Sequence, residues 1–239
     1  MRFSIFDIHF DDLSSAKALE ELADLRYHGG YIVTPNPEFI VRSLTDSRLK
    51  NIINRANISL VDGIGIVWAA RILGKRKPNR ISGVDFMEMA IKLSNDKGWR
   101  IGLLGGRGNT AQRLARLINR SYPDIVVPFA MAGSPDSSRD GQIREKIKGL
   151  NLDLLFVAYG NPKQEYWIER NLGKVDAKVL MGVGGSFDYL TGNVRRAPKF
   201  LRKIGLEWLF RLVSQPWRVK RQLSLTVFVF MVLKKKIFG

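Results

Sequence analysis

The 239-residue chain contains no cysteine. Disulfide scaffolds and thiolate zinc sites are therefore excluded. Histidine is nearly as scarce: only His9 and His28 occur. Neither falls in a His/Glu spacing suited to a metal, so both read as structural. The N-terminal MRFSIFDIHF has neither the long apolar stretch nor the small-residue cleavage site of a secretory signal. The expected compartment is the cytoplasm. Long hydrophobic runs are missing too. The C-terminal apolar run Leu223–Leu233 spans 11 residues before Lys234-Lys235-Lys236, whereas a membrane span needs ~20. Acid is almost absent from the same region. Residues 195–239 hold 12 Lys/Arg against Glu207 alone, which is +11 of the chain's net +17. Such an imbalance points to a polyanion: nucleic acid, anionic lipid or a pyrophosphate. A solvated basic face is the bland alternative.

What is present fits a folded domain. Hydrophobic residues make up 45% of the chain, with 22 Gly and 9 Pro, and the length allows a sizeable core. Short β-branched runs at Phe3–Phe6, Tyr31–Thr34, Ile58–Val61, Arg100–Leu104, Ile125–Phe129, Asp153–Ala158 and Lys178–Val183 read as strands. Helical patterns fall between them, near 14–26, 46–56, 64–73, 84–97, 108–120, 137–149 and 163–171. This alternation, with apolar strands such as DLLFVA and KVLMGV, predicts an α/β fold. The expected core is a mostly parallel, Rossmann-like sheet with helices on both faces. The organisation expected is an α/β domain over 1–194 and a basic, amphipathic helical appendage over 195–239.

In such sheets ligands bind beyond the carboxyl ends of the strands. Five polar or glycine-rich segments stand at those ends. They are Thr34-Pro35-Asn36-Pro37-Glu38, Val61-Asp62-Gly63, Gly105-Gly106-Arg107-Gly108-Asn109, Tyr159–Glu165 and Gly182–Ser186. Gly106-x-Gly108-x-x-Ala111 matches a strand–turn–helix glycine pattern whose backbone N–H groups can cradle a diphosphate. Gly105, Gly106, Gly108, Asn109, Gly184 and Gly185 are thus candidate nucleotide-binding positions. A tight turn would need the same glycines. The ribose-binding acid of an NAD site is missing, because Asp124 precedes the next strand and Ala130-Met131 ends it. A nucleoside diphosphate is the better fit.

Asp62 follows a strand and precedes Gly63, where a partly buried carboxylate can act as a general base. Helix capping is the competing use of an Asp there. Gln164 and Glu165 open a helix after a rigid Gly-Asn-Pro turn and could bind sugar hydroxyls or cap the helix. Gly184–Asp188 fails the nucleophile-elbow pattern at its last position. No Asp-x-Asp pair occurs, so no metal and no cofactor are expected.

Residues 199–213, KFLRKIGLEWLFRLV, fit one amphipathic helix, with Leu201, Ile204, Trp208 and Leu212 on one face. Pro216 opens a second helix after a break at Ser214-Gln215. Aromatic and basic residues flanking a short apolar face suit a helix lying at an anionic membrane surface. Packing on the protein's own core would account for the Leu and Phe but not for the charge.

In chain order, TPNPEF (34–39), VDGIG (61–65), RISGVDF (80–86), YGNPKQE (159–165), GVGGSFDYLTG (182–192), RRAP (195–198), LEWLFRL (206–212) and QPWR (215–218) together resemble the WecG/TagA/CpsF family of bacterial glycosyltransferases (glycosyltransferase family 26). The resemblance spans almost the entire chain. It implies an inverting, metal-independent transfer from a UDP-sugar to undecaprenyl-diphosphate-linked N-acetylglucosamine. The product would be the N-acetylmannosaminyl-β-1,4-linked lipid of wall teichoic acid. Related enzymes use UDP-N-acetylmannosaminuronate or other sugars, such as glucose, for common antigen, capsule or exopolysaccharide. By motif it places the catalytic base at Asp62 and substrate contacts at Thr34, Asn36, Arg80 and Gln164. It also assigns substrate contacts to the appendage arginines Arg211, Arg218 and Arg221. The implied location is the cytoplasmic face of the membrane, with a homo-oligomer possible. Two readings compete: a basic nucleic-acid-binding α/β protein, which would bind with strong salt dependence, and an NAD-dependent enzyme, which the missing acid disfavours.

Overall fold

The computed structural model describes residues 1–214 and 219–238, without the side chains of Lys199, Lys203, Arg211 and residues 219–222. The chain opens with an antiparallel hairpin, β1 (Arg2–Ile5) and β2 (Ile8–Asp11), and then α1 (Ser15–His28). Next come β3 (Gly30–Val33), α2 (Pro37–Ser43), α3 (Ser47–Arg55), β4 (Ile58–Ser59), α4 (Ile64–Ile72) and α5 (Gly83–Asp96). The second half runs β5 (Arg100–Gly105), α6 (Thr110–Ser121), β6 (Val126–Met131), α7 (Asp140–Ile147), β7 (Leu152–Ala158), α8 (Lys163–Asn171), β8 (Ala177–Gly182) and α9 (Ser186–Leu190). Three helices end the chain: α10 (Lys199–Lys203), α11 (Glu207–Ser214) and α12 (Val219–Phe238).

Strands β3 to β8 form one parallel sheet in the order β4-β3-β8-β7-β5-β6. Every residue of β7 is buried, as expected for a strand covered on both faces. Alternate side chains divide between two cores. Ile32, Leu103, Phe156 and Met181 meet α1, α5, α6 and Phe187 of α9. Val33, Leu104, Val157 and Leu180 belong to the core that holds α2, α3, α4, α7, α8, the β1–β2 hairpin and α12. The expected doubly covered α/β sheet is therefore present.

Several elements depart from the sequence expectation. The strand expected over Phe3–Phe6 is β1, and it pairs outside the main sheet. Its two-residue turn places Phe6 (φ 50°) and Asp7 (φ 58°) in the left-handed region, the backbone of a tight hairpin. The sequence Phe-Asp hides that turn, because glycine or asparagine usually marks it. Helix α2 starts inside what read as a polar loop. Pro37 fills its first turn, and Asn36 Oδ1 accepts from the N–H groups of Glu38 (3.0 Å) and Phe39 (3.4 Å).

The single helix expected over 199–213 is two. Gly205 adopts φ 82°; its N–H donates to Arg202 O and that of Leu206 donates to Leu201 O. This paired closure is the Schellman stop of a helix, which favours glycine. A Cβ on Gly205 would lie 2.6 Å from Ile64, so the break also lets the chain pass close to α4. Helix α12 is 20 residues long and carries the C-terminal apolar run between basic ends. One face joins the core, where Phe228 and Val232 are each 2% exposed, a burial worth roughly 1.5–3 kcal/mol per side chain. Phe6 packs edge-on against Phe228 at 6.3 Å, and Lys235 Nζ lies 5.4 Å from the Phe6 ring centre. The opposite face leaves Leu223, Val227, Phe230 and Ile237 exposed. Among the described residues no helix is long and apolar enough to cross a membrane.

Candidate active site

The connections after β5 and β7 leave toward opposite faces, through α6 and α8. A crevice therefore opens at their carboxyl ends. Gly105 pairs with Ala158 in the ladder, and a Cβ on Gly105 would lie 2.6 Å from the Ala158 carbonyl carbon. With φ 110°, position 105 needs glycine for both space and backbone. Gly106 (φ 77°) and Gly108 (φ 54°) continue the turn. Helix α6 then starts with no side-chain cap from Asn109, so its first turn suits an anion. The Gly106 N–H itself is used, donating to Ala158 O at 3.1 Å.

Gln164 is a clasp between neighbouring strand ends. Its Oε1 accepts from the N–H of Gly160 (3.1 Å) after β7 and of Gly184 (2.9 Å) after β8. Its Nε2 donates to Glu165 Oε1 at 2.7 Å. Gln164 is 3% exposed and Glu165 1%. Gly182 makes room for them, since a Cβ there would lie 2.7 Å from Gln164 Nε2. The amide expected to bind sugar thus spends both ends inside the protein. It also occupies the N–H of Gly184, one of the candidate nucleotide contacts. Burial pushes the Glu165 carboxyl up to about 7, against the opposing pull of hydrogen bonds from Gln164 and Asn161.

Three loops are laced together on the other side of β8. The Asp62 N–H donates to Pro35 O at 3.2 Å, and the Ile81 N–H donates to Val61 O at 3.0 Å. This brings the loops bearing Thr34 and Asn36, Asp62, and Arg80 to one place. Gly63 (φ 89°) holds the N-cap position of α4, which leaves Asp62 one residue ahead of the cap. Thr34 is buried, and its Oγ1 lies 3.0 Å from where a Cβ on Gly83 would stand. Asn36 spends its carbonyl oxygen on α2, as described above.

Asn36, Asp62 and Arg80 line a cavity of about 600 Å³. Its remaining walls come from α2, α4, the Gly205–Trp208 segment and α12. Thr34, Gln164 and the candidate glycines stand at the same sheet edge but outside its lining. Arg80 Nη2 donates to Arg202 O at 2.8 Å, so the tail holds a residue of the cavity. A second set of bonds secures that docking. Arg196 Nη2 donates to Asp85 Oδ1 (2.8 Å) and to Ser82 Oγ (3.2 Å), with Arg202 Nη1 3.5 Å from the same carboxylate oxygen. Burial would raise the Asp85 pKa, but the Ser82 hydroxyl and the two arginines outweigh it and hold it below the usual carboxylate range. Arg218 lies outside the described residues, as do the side chains of Arg211 and Arg221. Among the described residues, no cluster of three or more His, Asp or Glu could hold a metal ion.

The model of the glycosyl transferase WecG/TagA/CpsF family matches residues 3–239. The chain belongs to this glycosyltransferase family. It is 34% identical over 210 residues, 87% of its length and 80% of the relative's, to the N-acetylglucosaminyldiphosphoundecaprenol N-acetyl-beta-D-mannosaminyltransferase of Bacillus subtilis (strain 168). A relative of the same name from Staphylococcus aureus (strain MRSA252) is 29% identical over 239 residues, covering 98% of this chain and 93% of its own. In this WecG/TagA/CpsF glycosyltransferase the tail forms part of the cavity wall, through Gly205, Glu207, Trp208 and α12. The sequence marks Asn36, Asp62 and Arg80 of this lining, and Trp208 as part of an amphipathic face, but not Trp68, Phe228 or Val232 as walls, nor the Asp85–Arg196 pair. The signal for the pair was present in RISGVDF and RRAP, but only packing shows that the two fragments meet.

Proposed function

We propose that the chain transfers an N-acetylmannosamine-type sugar from a UDP donor to undecaprenyl-diphosphate-linked N-acetylglucosamine, with inversion and a β-1,4 linkage. Among the observations that support this reading, the shared name of relatives aligned over most of the chain carries it. In this reading Asp62 takes the proton from the acceptor C4 hydroxyl. The oxygen then bonds to the donor anomeric carbon from the face opposite UDP, and the bond from that carbon to the diphosphate oxygen breaks. UDP leaves with the electron pair. Thr34 and Asn36 contact the sugars, while Gln164 keeps the Gly160 and Gly184 turns together beneath them. The first turn of α6 receives the donor diphosphate. Arg80, Arg211, Arg218 and Arg221 are assigned to the negative charge that develops on the leaving group and to the acceptor diphosphate. The lipid-linked acceptor and the +11 tail support peripheral attachment to an anionic membrane surface, on the side where UDP-sugars are made.

A transfer assay with a lipid-diphosphate-N-acetylglucosamine analogue and a panel of UDP-sugars tests this. UDP-N-acetylmannosamine is expected to be used at least tenfold more efficiently than UDP-N-acetylmannosaminuronate or UDP-glucose. Preference for either of those moves the enzyme to capsule, exopolysaccharide or common-antigen chemistry. No transfer to a lipid diphosphate from any donor would overturn the reading.

A further inference from the structure

The cavity that contains Asp62 changes character along its length. Asn36, Glu38, Asp62, Arg80 and Glu207 supply polar lining, Asp62 standing just ahead of the start of α4, and Ser224 and Thr226 of α12 add two hydroxyls. Farther along α4 the lining is Trp68 and Ile72, and α12 contributes Phe228, Val229, Val232 and Leu233. Phe228 and Val232 are core side chains, so the floor is recessed. Four rim residues stay exposed although large and apolar: Trp68 (56%), Ile72 (39%), Val229 (48%) and Leu233 (47%). A contiguous apolar surface of this kind marks a binding site more often than inert exterior. Its volume falls in the ~300–1,000 Å³ range of sites that enclose most of a small ligand.

A ligand matching both ends must carry sugar hydroxyls and an anionic group directly attached to an apolar chain. A nucleotide-sugar has no apolar part to fill the far end. A flat bilayer surface can reach the rim but not the floor. A polyprenyl diphosphate sugar has the required order of groups. We infer that the groove between α4 and α12 binds the first isoprene units of the acceptor's lipid chain. Its diphosphate lies at the Arg80 end, where the guanidinium has donors left after its bond to Arg202 O, and its sugar faces Asp62. This inference rests on the proposed lipid-diphosphate acceptor and adds a site for the chain itself. The C-terminal helix then does more than tether the enzyme: it forms one wall of an acceptor site that the α/β sheet alone lacks.

The test is binding, without membranes or turnover, of a series of water-soluble prenyl diphosphates to the full chain by titration calorimetry. Affinity is expected to rise at least tenfold from dimethylallyl to farnesyl or geranylgeranyl diphosphate, with inorganic diphosphate no tighter than dimethylallyl. Ile72→Gln and Val229→Gln, each with an unchanged melting temperature, are expected to abolish most of that chain-length gain. Phe230→Gln, on the exposed face of α12 outside the cavity, is expected to leave it intact. Affinity independent of chain length would overturn the inference, as would equal losses in all three variants. So would a preference for phosphatidylglycerol vesicles alone, which would make the surface a membrane contact. Transfer that proceeds with a KM insensitive to chain length removes this inference and leaves the proposed function standing. A chain-length gain in binding without any transfer does the reverse.

Discussion

Arg80 Nη2 and the carbonyl oxygen of Arg202 are 2.8 Å apart, a bond that ties a cavity residue to the tail. The acceptor lies at the C-terminal end of α10, where the Arg202 carbonyl also takes the Gly205 N–H and uses its second lone pair for the cation. Its position depends on the turn at Gly205. A Gly205→Val variant must place a side chain at φ 82° and within 2.6 Å of Ile64. The turn then shifts and the carbonyl moves away from Arg80. Transfer is expected to fall at least tenfold in initial-rate assays, with far-UV circular dichroism unchanged. A normal rate would show that Arg80 does not depend on this contact.

Asp62 is the proposed base. Asp62→Asn keeps the size and the backbone bond to Pro35 O but cannot take a proton at neutral pH. General bases contribute ~10²–10⁴-fold, so kcat is expected to drop by that factor while the melting temperature stays within a few degrees. Full turnover in a folded variant would end the assignment.

The parts of this fold that were legible in the sequence are those governed by short-range pattern. Buried parallel strands such as Leu152–Ala158 read directly as apolar runs, and the polar strand ends outlined the cleft edge. What was hidden depended on contacts distant in sequence. Residues 199–213 have a continuous helical pattern, and the stop at Gly205 acquires its reason in the close pass of the chain over Ile64. Likewise, the clasp that Gln164 makes is hidden in the sequence until the fold brings Gly160 and Gly184 to either side of it. The apolar run of the tail could serve a membrane or a core, and in the structure its helix uses one face for the core and leaves another exposed.

Gly105 offers a stability test separate from chemistry. Gly105→Ala introduces a Cβ 2.6–2.9 Å from the Ala158 backbone at a φ of 110°. Strain and overpacking together are expected to cost roughly 2–4 kcal/mol, read from urea unfolding. Gly108→Ala, with open space around its Cβ position and φ 54°, is expected to cost less than half as much. Equal effects would mean that backbone conformation alone, rather than the approach of β5 to β7, dictates glycine at 105.

Glu165 makes stability depend on pH in a direction that can be stated in advance. Its carboxyl is 1% exposed, and burial raises its pKa from 4.5 to about 7 in the folded protein. The folded state therefore holds this proton more tightly than the unfolded chain does. Its contribution to stability is full below about 4.5 and is lost as pH rises to about 7. Each unit of such a shift corresponds to about 1.4 kcal/mol, so the total is on the order of 3–4 kcal/mol. Glu165→Gln keeps an oxygen for the Gln164 amide but removes the titration. The difference between wild-type and variant unfolding free energies, measured from pH 4 to 8, cancels the other titrating groups. Wild type is expected to lose stability relative to the variant across that window, with the change complete near pH 7 to 8. Parallel curves would mean that the carboxyl keeps an ordinary pKa, with the Gln164 and Asn161 hydrogen bonds offsetting its burial.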